Sequence, residues 1–506
     1  MPNRIDQLPE PKVISKINEE TDCKRALLSG PYAARNEGHF NKISLGLVGP
    51  HHLVELMEDW VQQCNEPIAS IPHLQTTDPR GERKHRMLFP DFPGCPAVFE
   101  KTLVIEKQFK EMITLSEIAC LDKSNKFAFI EGLLAIFENR LEHMMGVSDR
   151  KPDVVLLLLT DEMYDTCHIV GDYHQKLRKA KPGDEGQLDL FKDFDQFSNL
   201  PPREDEKRLY RVLRSALKKI AMNPQCGVPV QIIRERTLLG KDTQNLATRS
   251  WNLCTGVYYK TGDLPWIVRG LDKETCFLGV SFFHKKTPYM DELYTSMAHL
   301  FSNEFDSIVL RGDKVGFDET LRAPALDRPK ARRLIELALQ EYRSMRQTNV
   351  APKRLVIHKT SRYNDQEVLG FADVLDPLRI AYDLVSLTKS NLRLVRWGIY
   401  PVPRGTVWAP SDADAFLYTK GFVLDLQTYP GSHLPSPFMI QKARGDSSMQ
   451  TVCKDILALT KLNWNTADFC CGVPITIGFS RNVGEILKEF DDADTYPPSR
   501  LYRFYM

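Results

Sequence analysis

The chain has 506 residues, 42% hydrophobic and 26% charged, a balance that suits two to four globular domains and excludes an extended low-complexity polymer. Its 67 basic and 66 acidic side chains leave a formal charge of +1, so a polyanion must be gripped by a local cluster because global charge supplies little steering. The 11 cysteines show no CxxC pair and no histidines at zinc spacing, and no apolar run reaches the roughly 20 residues of a membrane span; reduced core cysteines, a cytoplasmic location and no membrane partner are expected.

Residues 1–27 read as an N-terminal arm that is unstructured or ordered by a partner. Ile43 to Gly49 predicts a strand, and His51 to Gln63, with Leu53, Val54, Leu56, Met57, Trp60 and Val61 at helical spacing, predicts a helix. Strands are expected at Ala97-Val98-Phe99 and Thr102 to Ile105, followed by a helix over Asn125 to Met145. Val154 to Leu159 is continuously apolar, the pattern of a parallel strand covered on both faces.

A basic helix should follow the loop-like residues 171–206. At 100° per residue, Lys207, Arg211, Arg214 and Lys218 fall within about 60° of one another, opposite Leu209, Leu213, Ala216, Leu217 and Ile220. Alone, such a stripe is a solvated face. It leads, however, through a turn at Asn223 to Gly227 into a buried strand, Val228 to Ile233, which carries Gln231, and then to a helix that carries Lys260. Three cations and an amide donor in one place would suit a phosphate. The order of strands and helices to this point predicts a Rossmann-like parallel sheet, in which ligands sit at the carboxyl ends of the strands.

Beyond Trp266 the pattern changes. Strands are expected at Cys276 to Phe283, Ser307 to Arg311, Arg354 to His358, Leu392 to Tyr400, Gly405 to Ala409 and Ala415 to Leu424, with helices at Pro329 to Met345 and Val452 to Lys461. Neighbouring strands first and alternating helices later suit a ribonuclease-H-like domain.

Residues 213–266 resemble the MID domain of short prokaryotic Argonautes, through Arg214 to Lys218, Pro229-Val230-Gln231-Ile232-Ile233-Arg234-Glu235 and Tyr258-Tyr259-Lys260-Thr261-Gly262. The second half is similar to the PIWI domain of that group, through Phe277-Leu278-Gly279, Val356-Ile357-His358, Asp455 to Asn465 and Pro474-Ile475-Thr476-Ile477. The resemblance implies an α/β chain with a MID domain over residues 28–268 and a PIWI domain over 269–506. It implies that Arg214, Lys218, Gln231 and Lys260 hold the 5′-phosphate of a short guide. The spacing leaves Tyr210, Arg211 and Lys219 as alternatives for the first two. Arg211, Lys461, Asn463 and Asn465 are candidate contacts to guide or target, and the terminal carboxylate of Met506 is a candidate ligand for a structural Mg2+ at the guide's 5′ end.

Slicing members of the family gather carboxylates around two metal ions. Here the expected positions carry Ser281, then His358, Lys359 and Thr360, and finally Asn482, so no slicing is expected; a serine and a lysine do not replace carboxylates on magnesium. The alternative is an active endonuclease with relocated ligands that include Asp365 or Glu367. The chain's length leaves no room for the N and PAZ domains of long Argonautes. The resemblance therefore implies a guide RNA, a complementary single-stranded DNA target and an APAZ-containing partner fused to a TIR, sirtuin-like or nuclease domain. TIR is favoured by the run Asp455 to Asn465. Target recognition would activate that effector, with higher oligomers on activation, in defence against plasmids and phage. Nothing in the residues separates RNA from DNA as the guide.

Overall fold

The computed structural model describes residues 4–32, 41–70, 88–170, 211–241, 244–286, 291–301, 307–347, 349–395, 397–398, 400–429, 434–490 and 494–506. Two sheets organise them. The first is four-stranded and wholly parallel, in the order Thr102–Ile113, Lys42–Pro50, Val154–Leu159, Val230–Arg234. All six residues of Val154–Leu159 are fully buried, as a strand sandwiched by helices requires. The helix Lys126–Gly146, capped by the Asn125 side chain, covers one face together with Leu213–Ala221, while His51–Cys64 and Leu246–Lys260 cover the other.

The second sheet has nine strands, in the order Arg4–Gln7, Thr406–Ala409, Asp414–Leu417, Phe438–Gly445, Ala381–Lys389, Arg354–Lys359, Thr275–Lys286, Asp291–Phe301, Ile308–Lys314. Thr275–Lys286, Arg354–Lys359 and Ala381–Lys389 run parallel, so their carboxyl ends share one edge. Helices Arg328–Arg346 and Asp365–Leu375 pack on one face, against Leu278, Ile357 and Leu384. The opposite face meets Met449–Leu459 and Ile475–Leu487 in an apolar cluster that continues through Trp464 and Trp266 into the first sheet's core. The helix Ile475–Leu487 comes so close that a Cβ on Gly279 would stand 1.9 Å from the Thr476 carbonyl oxygen. Only glycine fits there.

Several expectations are corrected. Residues 4–27 are ordered by the chain itself: Arg4–Gln7 pairs antiparallel with Thr406–Ala409, and Val13–Ile14 pairs with Ile267–Val268. Glu10 lies between the buried cations Arg404 and Lys461, at 2.9 and 2.8 Å. Burial by itself would raise the Glu10 carboxyl's pKa, but Arg404 and Lys461 hold it below the usual range. Its contribution to stability is thus present at neutral pH and lost as pH falls through that lowered pKa. Glu10→Ala strands two buried cations and is expected to cost about 3–5 kcal/mol, read as an earlier thermal unfolding transition.

Ala97-Val98-Phe99 belongs to a helix, Cys95–Phe99, because Gly94 and Pro96 set a helix start that outweighs the two strand-prone residues Val98 and Phe99. Among the described residues of Leu392 to Tyr400 there is no strand. The strand precedes it at Ala381–Lys389, where Asp383 interrupts the apolar pattern but is neutralised by Arg354 at 2.7 Å. Strands Asp291–Phe301 and Phe438–Gly445 and the helix Ile475–Leu487 were also beyond the sequence patterns. The basic helix begins at Leu213; Arg211 sits in the two-residue strand Arg211–Val212, and Lys207 and Tyr210 lie outside the described residues.

Candidate nucleic-acid interface

Arg214 and Lys218 are four residues apart on the helix Leu213–Ala221 and therefore share a face. Arg214 is exposed, whereas Lys218 is only 2% exposed. Lys260 ends the helix Leu246–Lys260, also buried, and its Nζ donates to Gln231 Oε1 at 2.7 Å. Gln231 is the second residue of the edge strand Val230–Arg234. Lys218 Nζ is buried without a hydrogen-bond partner among the described residues.

The electrostatics of this group are one-sided. Burial, then the charges of Arg214 and Lys260, push the Lys218 amine well below the usual lysine range. Burial and Arg214 bring Lys260 down to about 7. The charges that act on both amines are positive. Two amines and a guanidinium therefore converge around an amide, with no acidic side chain among the described residues acting on the amines, an arrangement whose natural complement is an anion with several acceptor oxygens.

A second wall comes from far along the chain. The helix Ile475–Leu487 packs against Leu213–Ala221, and the turn Tyr502–Phe504 packs against Leu246–Lys260. The buried Tyr502 hydroxyl hydrogen-bonds with the Asn482 side chain and lies within reach of the Arg214 charge. Tyr502 was missed at the sequence level, since nothing local in Ser499 to Met506 marks it. The Met506 side chain is buried in the shared core. Lys219, an alternative to Lys218, is committed elsewhere: its Nζ meets the Glu489 carbonyl at 2.8 Å and Asp494 at 2.7 Å.

Lys461 is buried and its amine is used within the chain. Its amine donates to the carbonyls of Thr21 (2.8 Å) and Phe469 (3.0 Å), pairs with Glu10 and is 1% exposed at the side chain. Asn463 closes a local turn, donating to Thr466 Oγ1 at 3.0 Å and accepting from the Asn465 amide at 3.2 Å; Asn465 backs onto Gly256. The run Asp455 to Asn465 instead buttresses the Lys260 helix, through Trp464 stacked on Tyr259 and through Trp266 Nε1 donating to the Lys461 carbonyl at 2.9 Å.

At the carboxyl edge of the nine-stranded sheet, Ser281 and Lys359 are buried and Thr360 is half-buried. Lys359 Nζ donates to both oxygens of Glu367 at 2.6 Å, and that carboxylate also accepts the amides of Leu326 and Asn364 at 3.1 Å. Glu367 thus closes the capping box of the helix Asp365–Leu375 and neutralises a buried lysine. Asp365 is exposed in that helix's first turn, where a carboxylate suits the dipole. His358 shares a 2.8 Å hydrogen bond with Thr476 Oγ1, and burial lowers its pKa to about 3, which leaves a neutral imidazole. Asn482 lies six residues along the helix from Thr476, roughly 9 Å of rise, and faces Tyr502. Among the described residues, no three His, Cys, Asp or Glu side chains are grouped to share a metal ion. None of their helices is long and apolar enough to cross a membrane.

No protein-family model matches the chain. It is similar to the Protein argonaute of Aquifex aeolicus, 23% identical over 286 residues, which are 54% of this chain and 35% of that protein. In three dimensions it superposes on Clostridium butyricum Argonaute bound to a guide DNA and a 19-mer target DNA, with a TM-score of 0.60 and 14% identity, over 97% of this chain and 54% of that one. The A. aeolicus Argonaute crystal structure gives a TM-score of 0.56 at 14% identity, over 97% and 54%. The chain thus spans about half the length of these Argonaute chains, and over that half its mixed α/β fold is similar to theirs.

Proposed function

We propose that this chain is a guide-dependent recognition subunit that holds the 5′-phosphate of a short guide RNA between Arg214, Lys218, Gln231 and Lys260 and pairs the guide with single-stranded DNA. The observation that carries the reading is Lys218: a buried amine without a hydrogen-bond partner among the described residues, next to Arg214 and Lys260, has its charge satisfied by a terminal phosphate. Base pairing then supplies sequence specificity while the protein grips phosphates. The pocket's side chains are cations and an amide and do not fit Mg2+; a structural ion there would rest on the Met506 carboxylate and the guide's own oxygens.

Support for a Rossmann-like MID unit over 28–268 comes from the parallel four-stranded sheet. Support for a ribonuclease-H-like PIWI unit over 269–506 comes from the antiparallel series Thr275–Lys286, Asp291–Phe301, Ile308–Lys314 joined by two strands parallel to the first. The pairing of Lys359 with Glu367 supports a PIWI unit without slicing activity. In this proposal the effector activity, NAD hydrolysis by a TIR domain or nucleic-acid degradation, resides in an APAZ-containing partner and serves defence against plasmids and phage.

Protein purified from cells is expected to carry short 5′-phosphorylated RNA. Given that guide, a complementary DNA and Mg2+ or Mn2+, it should leave the DNA intact. Cleavage opposite the guide would overturn the silent-site reading, and failure to bind any phosphorylated guide would overturn the recognition reading itself.

A further inference from the structure

Trp397 is 93% exposed, an unusual position for the largest side chain. Its loop follows Ala381–Lys389 and carries Val395 at 73% and Tyr400 at 64% exposure, with Arg393 exposed beside them. It is tethered, because the Leu394 amide donates to Tyr418 Oη at 2.8 Å. Between Asp383 and Arg404, which is itself buried against Glu10, the sequence has Lys389, Arg393 and Arg396 and no acidic residue. Lys359 pairs in register with Ser386, so the loop departs about three residues, roughly 10 Å, beyond Lys359, at the carboxyl edge shared by the three parallel strands. That edge is where open α/β sheets take their ligands.

We propose that Trp397 is a stacking platform for an unpaired base of the target strand, with Arg393 positioned for an adjacent phosphate. The proposal rests on the guide-dependent reading. An exposed aromatic ring beside an exposed arginine complements a chain of bases and phosphates, and stacking tolerates any base because each has a π-face. A base inside a duplex has both faces covered by its neighbours. The occupant is therefore a nucleotide of the target that extends past the paired guide.

The test compares two targets on guide-loaded protein: a DNA that ends flush with the guide and one with single-stranded extensions on both sides. Trp397→Ala is expected to weaken the extended target roughly five- to 150-fold and to leave the flush target unchanged, with Trp397→Phe intermediate. The extended target should also quench the wild-type tryptophan fluorescence more than that of Trp397→Phe. The signal is readable because Trp60, Trp251, Trp266 and Trp464 are buried and Trp408 is stacked on Phe416. Equal affinity of wild type and Trp397→Ala for the extended target overturns the proposal. A wild type that binds no phosphorylated guide refutes the guided reading instead, a result visible before any target is added.

Discussion

Replacing Lys218 and Lys260 together by alanine is expected to weaken a 5′-phosphorylated guide by roughly 10²- to 10⁴-fold, at about 1.5–3 kcal/mol for each charged hydrogen bond lost. A 5′-hydroxyl guide of the same sequence should change by only a few-fold, because the remaining contacts are to phosphates elsewhere on the strand. Fluorescence anisotropy with the two guides reads the difference, and equal losses would argue against the pocket. Both substitutions remove buried amines that meet no acidic side chain among the described residues, so the folded state should not suffer in proportion to the lost affinity. The pH dependence has a definite sign. In the empty protein the Lys260 pKa lies at about 7, below its unfolded value, so the folded state is short of protons between roughly pH 7 and 10 and is relatively favoured as pH rises through that window. Phosphate binding requires the protonated amine, and affinity should therefore fall as pH rises above 7, by up to tenfold per unit for each proton taken up. Below about pH 6 the phosphate itself loses its second charge, which places the optimum between the two. Calorimetry in buffers of different ionisation enthalpy should report proton uptake at pH 8.

Lys359→Met should be the most destabilising single change at the carboxyl edge of the large sheet. It leaves the fully buried Glu367 carboxylate with two amide donors and no cation, at an expected cost of about 3–5 kcal/mol. Burial lowers the Lys359 pKa while Glu367 raises it, and the net shift is downward, so the pair is held by geometry and desolvated contact. Lys359→Met with Glu367→Gln should recover most of the loss, since an amide keeps the two backbone hydrogen bonds without a charge. Thermal unfolding of the three proteins reads this. The same variants bear on the rival nuclease: if Glu367 served a metal ion, freeing it from Lys359 would promote Mn2+-dependent cleavage, and the prediction is that no cleavage appears.

What could be read from the sequence was what local pattern encodes. Val154–Leu159 and Lys126–Gly146 are continuous in their patterns and emerged where expected. Ala381–Lys389 was hidden because Asp383 looks like a loop residue until Arg354, from the neighbouring strand, is seen to neutralise it. Lys461 illustrates the converse: its chemistry suits a phosphate, and only the path of residues 10–21 shows that its amine is already used. Periodicity alone placed Lys218 on a solvated face. The gathering of Arg214, Lys218, Gln231 and Lys260 was suggested by resemblance, and the unpartnered burial of Lys218, which gives that gathering its physical force, was not visible at all. Tyr502 joins the same place across almost 290 residues from Arg214, a distance no local pattern spans.

The antiparallel pairing of Arg4–Gln7 with Thr406–Ala409 has a consequence for how the protein is made. At about 5–20 residues per second, the ribosome needs roughly 20–80 s to deliver the partner strand after the first has emerged. Throughout that interval the opening segment, including Glu10, has no Arg404 or Lys461 to meet. The parallel sheet over Lys42–Arg234 can assemble meanwhile, because its strands are all on hand once residue 234 has emerged. Residues 4–10 are thus fixed long after they are translated, and a nascent chain stalled before residue 404 should expose that segment to protease while the sheet behind it resists.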